Sequence, residues 1–246
     1  MIVTGTIDVE EDGSVSGHVL DQPEKLPRGV VALVDRNASQ WKFEPVLRDG
    51  KAVKARAKMS LHVVARALDD TNFTVEIDGA NFGDTAEGEG VASETMKPPG
   101  YPLNALRSGV TGIVYLVVQV DRSGAVADVV AEQVNLTVLT QPNQMPGWRD
   151  ALAEASIRAA RHWRFRVPSS GPESGKESWS VRVPVQYLLG RDKPPGYGHW
   201  QTYVPGPVQV VPWVDDADST GRTALAAGSI SEIGKGLRLL TPLDQG

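Results

Sequence analysis

Trp163-Arg164-Phe165-Arg166-Val167-Pro168 ends one kind of sequence pattern and begins another, and Trp41-Lys42-Phe43-Glu44-Pro45 does the same 122 positions earlier. Upstream of the later stretch, Trp148, Leu152, Ala155, Ala159 and Trp163 recur at the spacing of one helix face, predicting a helix over 148–161. Upstream of the earlier one, Val30, Val34, Ala38 and Trp41 form a similar stripe. That helix opens at Leu26-Pro27-Arg28 and stops before Pro45, because proline disfavours the helical conformation in the residue before it. Downstream, Val181, Val183, Val185 and Tyr187 alternate as a strand. Val53, Ala55, Ala57, Met59, Leu61 and Val63 alternate in the same way, and Met59 to Val181 keeps the offset of 122.

A hairpin precedes each helix. Thr4 to Val9 alternates, Glu11-Asp12-Gly13 breaks the pattern, and Val15, Gly17 and Val19 resume it, with Asp-Gly as the turn. Later, the apolar run Gly112 to Val120 meets the turn Asp121-Arg122-Ser123-Gly124, and Val126 to Val134 runs back. Gly13 to Gly124 is an offset of 111, so the second copy is 11 residues longer between hairpin and helix. The loop-forming stretch Gln141-Pro142-Asn143-Gln144-Met145-Pro146-Gly147 fills that difference. In the first copy, Asp69 to Asn72 turns into a fourth strand, Phe73 to Ile77. These patterns predict an α+β protein of two tandem small modules, each a three- to four-stranded antiparallel sheet with helices packed on one face. The modules occupy residues 1–83 and 97–190, joined by a linker at 84–96 and followed by an irregular, Pro/Gly-rich extended tail at 191–246.

The 246-residue chain has a net charge of −5 and a pI near 5.4, with no long basic run, which argues against a nucleic-acid partner. It has no cysteine, so disulfides, Cys-ligated zinc and thiol nucleophiles are absent. No apolar run is long enough to span a membrane. Met1-Ile2-Val3-Thr4-Gly5 lacks the basic and apolar regions of a signal peptide, so a native leader or anchor is expected to be absent from this chain.

Three further features of the second copy carry a resemblance. Tyr101-Pro102-Leu103-Asn104-Ala105 fits a YPxxA opening, Gly112 through Asp121 and Gly124 fit a G-strand-D-x-x-G hairpin, and Ala151 to Pro168 fits a helix closing on a WxF signal. In that order they resemble the C-terminal domain of the TonB energy transducers over roughly residues 97 to 189. The first copy resembles the same domain without its YPxxA helix. The resemblance implies a periplasmic setting and a role in outer-membrane transport; no nucleophile, acid/base pair or metal constellation stands behind an enzyme, and no cofactor is expected. It implies a protein partner, an outer-membrane transporter segment, added as a strand to the last strand of the sheet. The positions so implicated are Pro98, Tyr101, Pro102, Val181, Val183, Val185 and Tyr187. Pro98-Pro99 stands where the family has Gln-Pro, and Pro184 lies inside the last strand, which places that strand at an edge. An envelope scaffold or self-association protein that has lost transduction is the alternative.

Other readings of single residues are weaker. His18, His62, His162 and His199 show no metal-ligand spacing, and Gly228 to Gly236 fails as a P-loop because Gly236 stands where Ser or Thr is needed. Asp215, Asp216 and Asp218 read as a solvated acidic turn. Trp41, Phe43, Trp163 and Phe165 read as core anchors, and Lys51, Lys54, Arg56 and Lys58 as the solvent face of a strand. Lys193-Pro194-Pro195-Gly196-Tyr197 echoes Lys97-Pro98-Pro99-Gly100-Tyr101, and the tail around it is expected to lie along a domain surface or to occupy the free strand edge of the second copy.

Overall fold

The computed structural model describes residues 1–83, 88–190, 192–214, 221 and 223–243, so the acidic turn at 215–218 lies outside the described residues. The architecture is α+β. In the first unit, β1 (Ile2–Val9) and β2 (Val15–Leu20) form the hairpin, followed by α1 (Arg28–Ala38). The short hairpin β3 (Leu47–Arg48) and β4 (Lys51–Ala52) leads into β5 (Ala55–Ala67) and β6 (Phe73–Phe82). The sheet order is β2-β1-β5-β6, all antiparallel. The turn between β5 and β6 is fixed by Asp69, whose carboxylate accepts the Thr71 and Asn72 backbone N–H groups. The Asn72 side-chain amide, which donates to the same carboxylate, and then those backbone bonds hold its pKa below the usual carboxylate range.

The second unit comprises β7 (Ala92–Thr95), α2 (Leu103–Arg107), β8 (Gly112–Asp121), β9 (Val126–Leu136), α3 (Met145–Ala160), β10 (Arg164–Arg166) and β11 (Ser178–Tyr187). Strand β7 falls within the stretch read as a linker, and it pairs with β10. A two-residue strand from the tail, β12 (Ser231–Glu232), joins the edge of this sheet, giving the order β12-β11-β8-β9. The positions of β2, β1, β5 and β6 in one sheet thus correspond to those of β9, β8, β11 and β12 in the other. The strand beside the long edge strand is a hairpin partner in the first unit and a piece of the distant tail in the second.

Each helix packs its apolar side on its own sheet. Val30, Leu33, Val34 and Ala38 join Ile7, Met59 and Leu61 in one core, whereas Leu152, Ala155 and Ala160 join Leu116, Val118 and Val181 in the other. Trp41 and Trp163 lie just past the helix ends rather than on them, because both helices tighten into three-residue turns. Trp41 N–H donates to Ala38 O, and Trp163 N–H to Ala160 O. Both indoles are 3% exposed, and the following Phe43 and Phe165 are fully enclosed.

The hairpin turns meet these closing strands at matching points. Phe43 N–H donates to Gly13 O at 2.8 Å, and Phe165 N–H to Gly124 O at 2.9 Å. Gly13 and Gly124 have φ of 83° and 77°, and a Cβ on either would lie 2.0 Å from the carbonyl oxygen of the facing Phe. Gly124→Ala is therefore expected to destabilise by at least the ~1–2 kcal/mol of a left-handed residue, plus the displacement of the facing Phe165 backbone. Urea unfolding monitored by circular dichroism measures the loss, and Gly13→Ala is expected to match it.

The tail runs over both units. Its Leu136–Val204 bridge covers the outer edge of β9, and Arg149 of α3 donates to the carbonyls of Val134, Val204 and Pro205 to hold that crossing. At the other end, Glu44 N–H donates to Arg238 O and Leu240 N–H to Lys42 O, so the tail pairs with the strand that follows α1. In the second unit β7 takes the equivalent place beside β10. Tyr197 of the second KPPGY stretch packs on the first core, with its hydroxyl bonded to the backbone of Thr4.

Candidate partner-binding edge

β11 pairs with β8 along its whole length, from Ser178 opposite Asp121 to Tyr187 opposite Gly112. Its other side carries the tail. Val181 faces Glu232 and Arg182 faces Ser231, while Ile233 N–H donates to Ser180 O at 2.9 Å and Gly228 N–H to Pro184 O at 3.1 Å. Pro184 has no N–H to return, so the ladder stops there after two residue pairs. β11 is thus an edge strand closed over a short length, and its backbone rather than its side chains faces the tail.

The implicated residues fall into two groups. Val181, Val183 and Tyr187 are buried in the second core and Val185 is packed against it, so these side chains point toward α3 and not outward. Tyr187 donates to Leu152 O and shares a hydrogen bond with Ser156. Tyr101 packs edge-on against Tyr187, with ring centroids 5.2 Å apart, and donates to Val110 O at 2.6 Å. Pro102 precedes α2 and is half-buried, whereas Pro98 is exposed. The neighbouring Lys97 carbonyl accepts the Trp163 indole N–H at 2.8 Å. The YP segment is therefore pinned to the closing Trp of α3 and to the end of β11.

The opposite face of the second sheet holds a feature that the sequence reading missed. Arg182 of β11 and Glu132 of β9 form a two-pronged ion pair, 2.7 and 2.9 Å, with side chains only 4% and 5% exposed. Tyr115 and Val117 of β8, between them in the sheet order, are also buried. The signal lay in β8 itself, whose near-continuous apolar run is typical of a strand covered on both faces.

Nearby, His62 Nδ1 and Asp78 Oδ2 are 3.1 Å apart on neighbouring strands of the first unit. Tyr203 and Thr223 of the tail also donate to Asp78, and Tyr203 packs edge-on against His62. Burial lowers the pKa of the His62 imidazole below its ordinary 6.5, against the opposing pull of Asp78. The unfolded chain therefore binds that proton more tightly than the folded one. Stability is complete above the unfolded pKa and declines as pH falls through 6.5 toward the folded value. Burial likewise lowers the Met1 amine to about 6. The melting temperature is expected to drop between pH 7 and pH 5, and His62→Gln to shallow that drop while leaving the amine's share.

Among the described residues no group of three or more His, Asp or Glu side chains is placed to hold a metal ion, and no helix is long and apolar enough to cross a membrane. The Gly228 to Gly236 stretch, with Gly228, Gly234 and Gly236 at positive φ, is the strap that crosses between the two units.

No family model and no solved structure matches this chain. Curated proteins do. The chain is 36% identical over 99 residues to Protein TonB of two strains of Xanthomonas campestris pv. campestris, covering 40% of this chain and 38% of the relative. It is 33% identical over 91 residues to Protein tonB2 of Pseudomonas aeruginosa, covering 37% of this chain and 28% of the relative. The chain therefore matches well under half the length of these relatives. Within its α+β architecture it carries a TonB C-terminal-like domain.

Proposed function

We propose that the chain is a periplasmic, non-enzymatic protein–protein interaction module of an energy-transducer-like protein serving outer-membrane transport. Its partner is an extended segment of an outer-membrane transporter, added as a strand to the outer edge of β11. The observation that carries this reading is the 36% identity to Protein TonB, on a chain whose second unit offers an edge strand closed over only two residue pairs. Backbone hydrogen bonds supply the affinity in this mode of recognition. The domain occupies residues 97–190, and residues 1–83 are a second, reduced copy of it. The matching strand order and the paired turn glycines support that duplication. In the first copy β6 covers the equivalent edge along most of its length, so recruitment belongs to the second.

An envelope scaffold that self-associates is the second reading, favoured by Pro184 and the tail strand, both of which blunt the edge. Photo-crosslinking in cells separates the two. A photoreactive residue at Gln186 on β11 is expected to trap an outer-membrane transporter, whereas one at Thr74 on β6 is not. Adducts only between copies of this chain select the scaffold, and equal transporter yield from both positions contradicts the assignment to β11.

A further inference from the structure

The tail strand on β11 is held by side chains as well as by its backbone. Ser231 Oγ accepts from Asn81 Nδ2 at 3.0 Å, and the Glu232 carboxylate accepts the Val91 backbone N–H at 2.8 Å. Lys235 closes on the same carboxylate at 3.4 Å and donates to Glu89 O. Ile230 packs against the second core. Within Gly228–Ile233, three side chains thus meet a defined surface: Ile230 an apolar patch, Ser231 an amide, and Glu232 a backbone donor that favours an acid, while the N–H groups of Gly228 and Ile233 reach Pro184 O and Ser180 O. On either side the tail is anchored to the first unit, by Ser60 Oγ on Ala224 O and by Leu237 N–H on Phe82 O.

We infer that Gly228–Ile233 is an internal stand-in for the partner strand, and that the edge takes an extended segment of the pattern aliphatic–Ser–acid in its place. This rests on the strand-addition reading above, and it adds the chemistry of the segment and the requirement that the tail leave first. The two pairs of β12 make a weak grip, since so short a strand has little ladder of its own. The flanking anchors keep it seated by raising its effective concentration. A partner of the same pattern with a longer run of pairs outcompetes it.

The probe is a synthetic peptide copying residues 226–235 of this chain, titrated into the full-length protein and followed by amide chemical shifts. Ile233→Pro removes the N–H that reaches Ser180 O and frees the edge. A Ser180→Cys/Ile233→Cys disulfide, the only one possible in a chain without native cysteine, locks the tail down. The peptide is expected to shift the amides of Ser180–Val183 in Ile233→Pro with affinity at least roughly tenfold above wild type, the equivalent of about 1.4 kcal/mol. In the locked variant the oxidised protein is expected to show no shifts, and reduction to restore them. That comparison is internal to one folded protein, so it holds even if the proline variant folds poorly. Equal affinity for oxidised and reduced protein, or no binding to the reduced one, overturns the inference. The peptide titration involves no transporter, so it can fail while the crosslink succeeds, and the reverse.

Discussion

Trp163→Ala is expected to cost about 3–5 kcal/mol in urea unfolding, a large part of the roughly 5–15 kcal/mol that holds a typical domain folded. The indole is 3% exposed and fills the junction between α3, β10 and the second sheet. An aromatic of this size removes on the order of 150–250 Å² from water. Trp163→Phe keeps most of the bulk but leaves the Lys97 carbonyl without its donor, at a further cost of about 1–3 kcal/mol. Trp41 is equally buried, yet its indole N–H has no partner among the described residues. Trp41→Phe is therefore expected to cost less than Trp163→Phe by about the worth of that one hydrogen bond. A Trp163→Ala protein that unfolds at the wild-type urea midpoint would remove the core assignment altogether.

Arg182→Ala is the second large effect, at about 3–5 kcal/mol, because it leaves the Glu132 carboxylate buried without its guanidinium. Most of that cost belongs to the stranded charge rather than to the lost pair. Replacing both partners by apolar residues of similar size, Arg182→Met with Glu132→Leu, is accordingly expected to recover most of it. The double-mutant cycle measures the coupling directly. Single and double variants losing the same amount would show that packing, not the buried charge, sets the cost. Because Arg182 also faces Ser231 of the tail, the single variant tests in addition whether the ion pair braces β11 where the tail crosses it.

Much of the fold was legible because local rules sufficed for it. The Asp-Gly and Asp-x-x-Gly turns, the 3.6-residue stripes on α1 and α3, and the alternation in β5 and β11 each depend on neighbours a few residues away. The offset of 122 shared by Trp41, Phe43 and Met59 with Trp163, Phe165 and Val181 linked the helix ends and strands across the chain, while the turns are offset by 111. The first helix was read about a turn too long, because Trp41 continues the apolar stripe past Ala38, whereas the end of the second, read at Arg161, falls one residue beyond Ala160 and its start lies three residues earlier than read. Two things were not legible. Occupation of the second sheet's free edge by the tail was one of the two expected placements and is the one observed, but the contacting piece, Ser231–Glu232, is a two-residue strand with no periodicity to read. Arg182 and Glu132 sit on the two strands that flank β8, on a face where alternation in their own strands predicts solvent and only the continuous apolar run of β8 hints at a cover. Only the cover over that face makes them a buried pair.

Entry of a partner strand at β11 of the second unit leaves a footprint on that strand and on the tail beside it. Titrating the isotope-labelled chain with a peptide from the transporter segment that crosslinks at Gln186, and mapping the amide shifts, reads that footprint. Changes are expected from Val181 to Leu189, with matching changes at Gly228–Ile233 as the tail departs, and quiet amides from Met59 to Val64. Equal perturbation of β11 and Met59–Val64, or perturbation of Met59–Val64 alone, would contradict entry at β11.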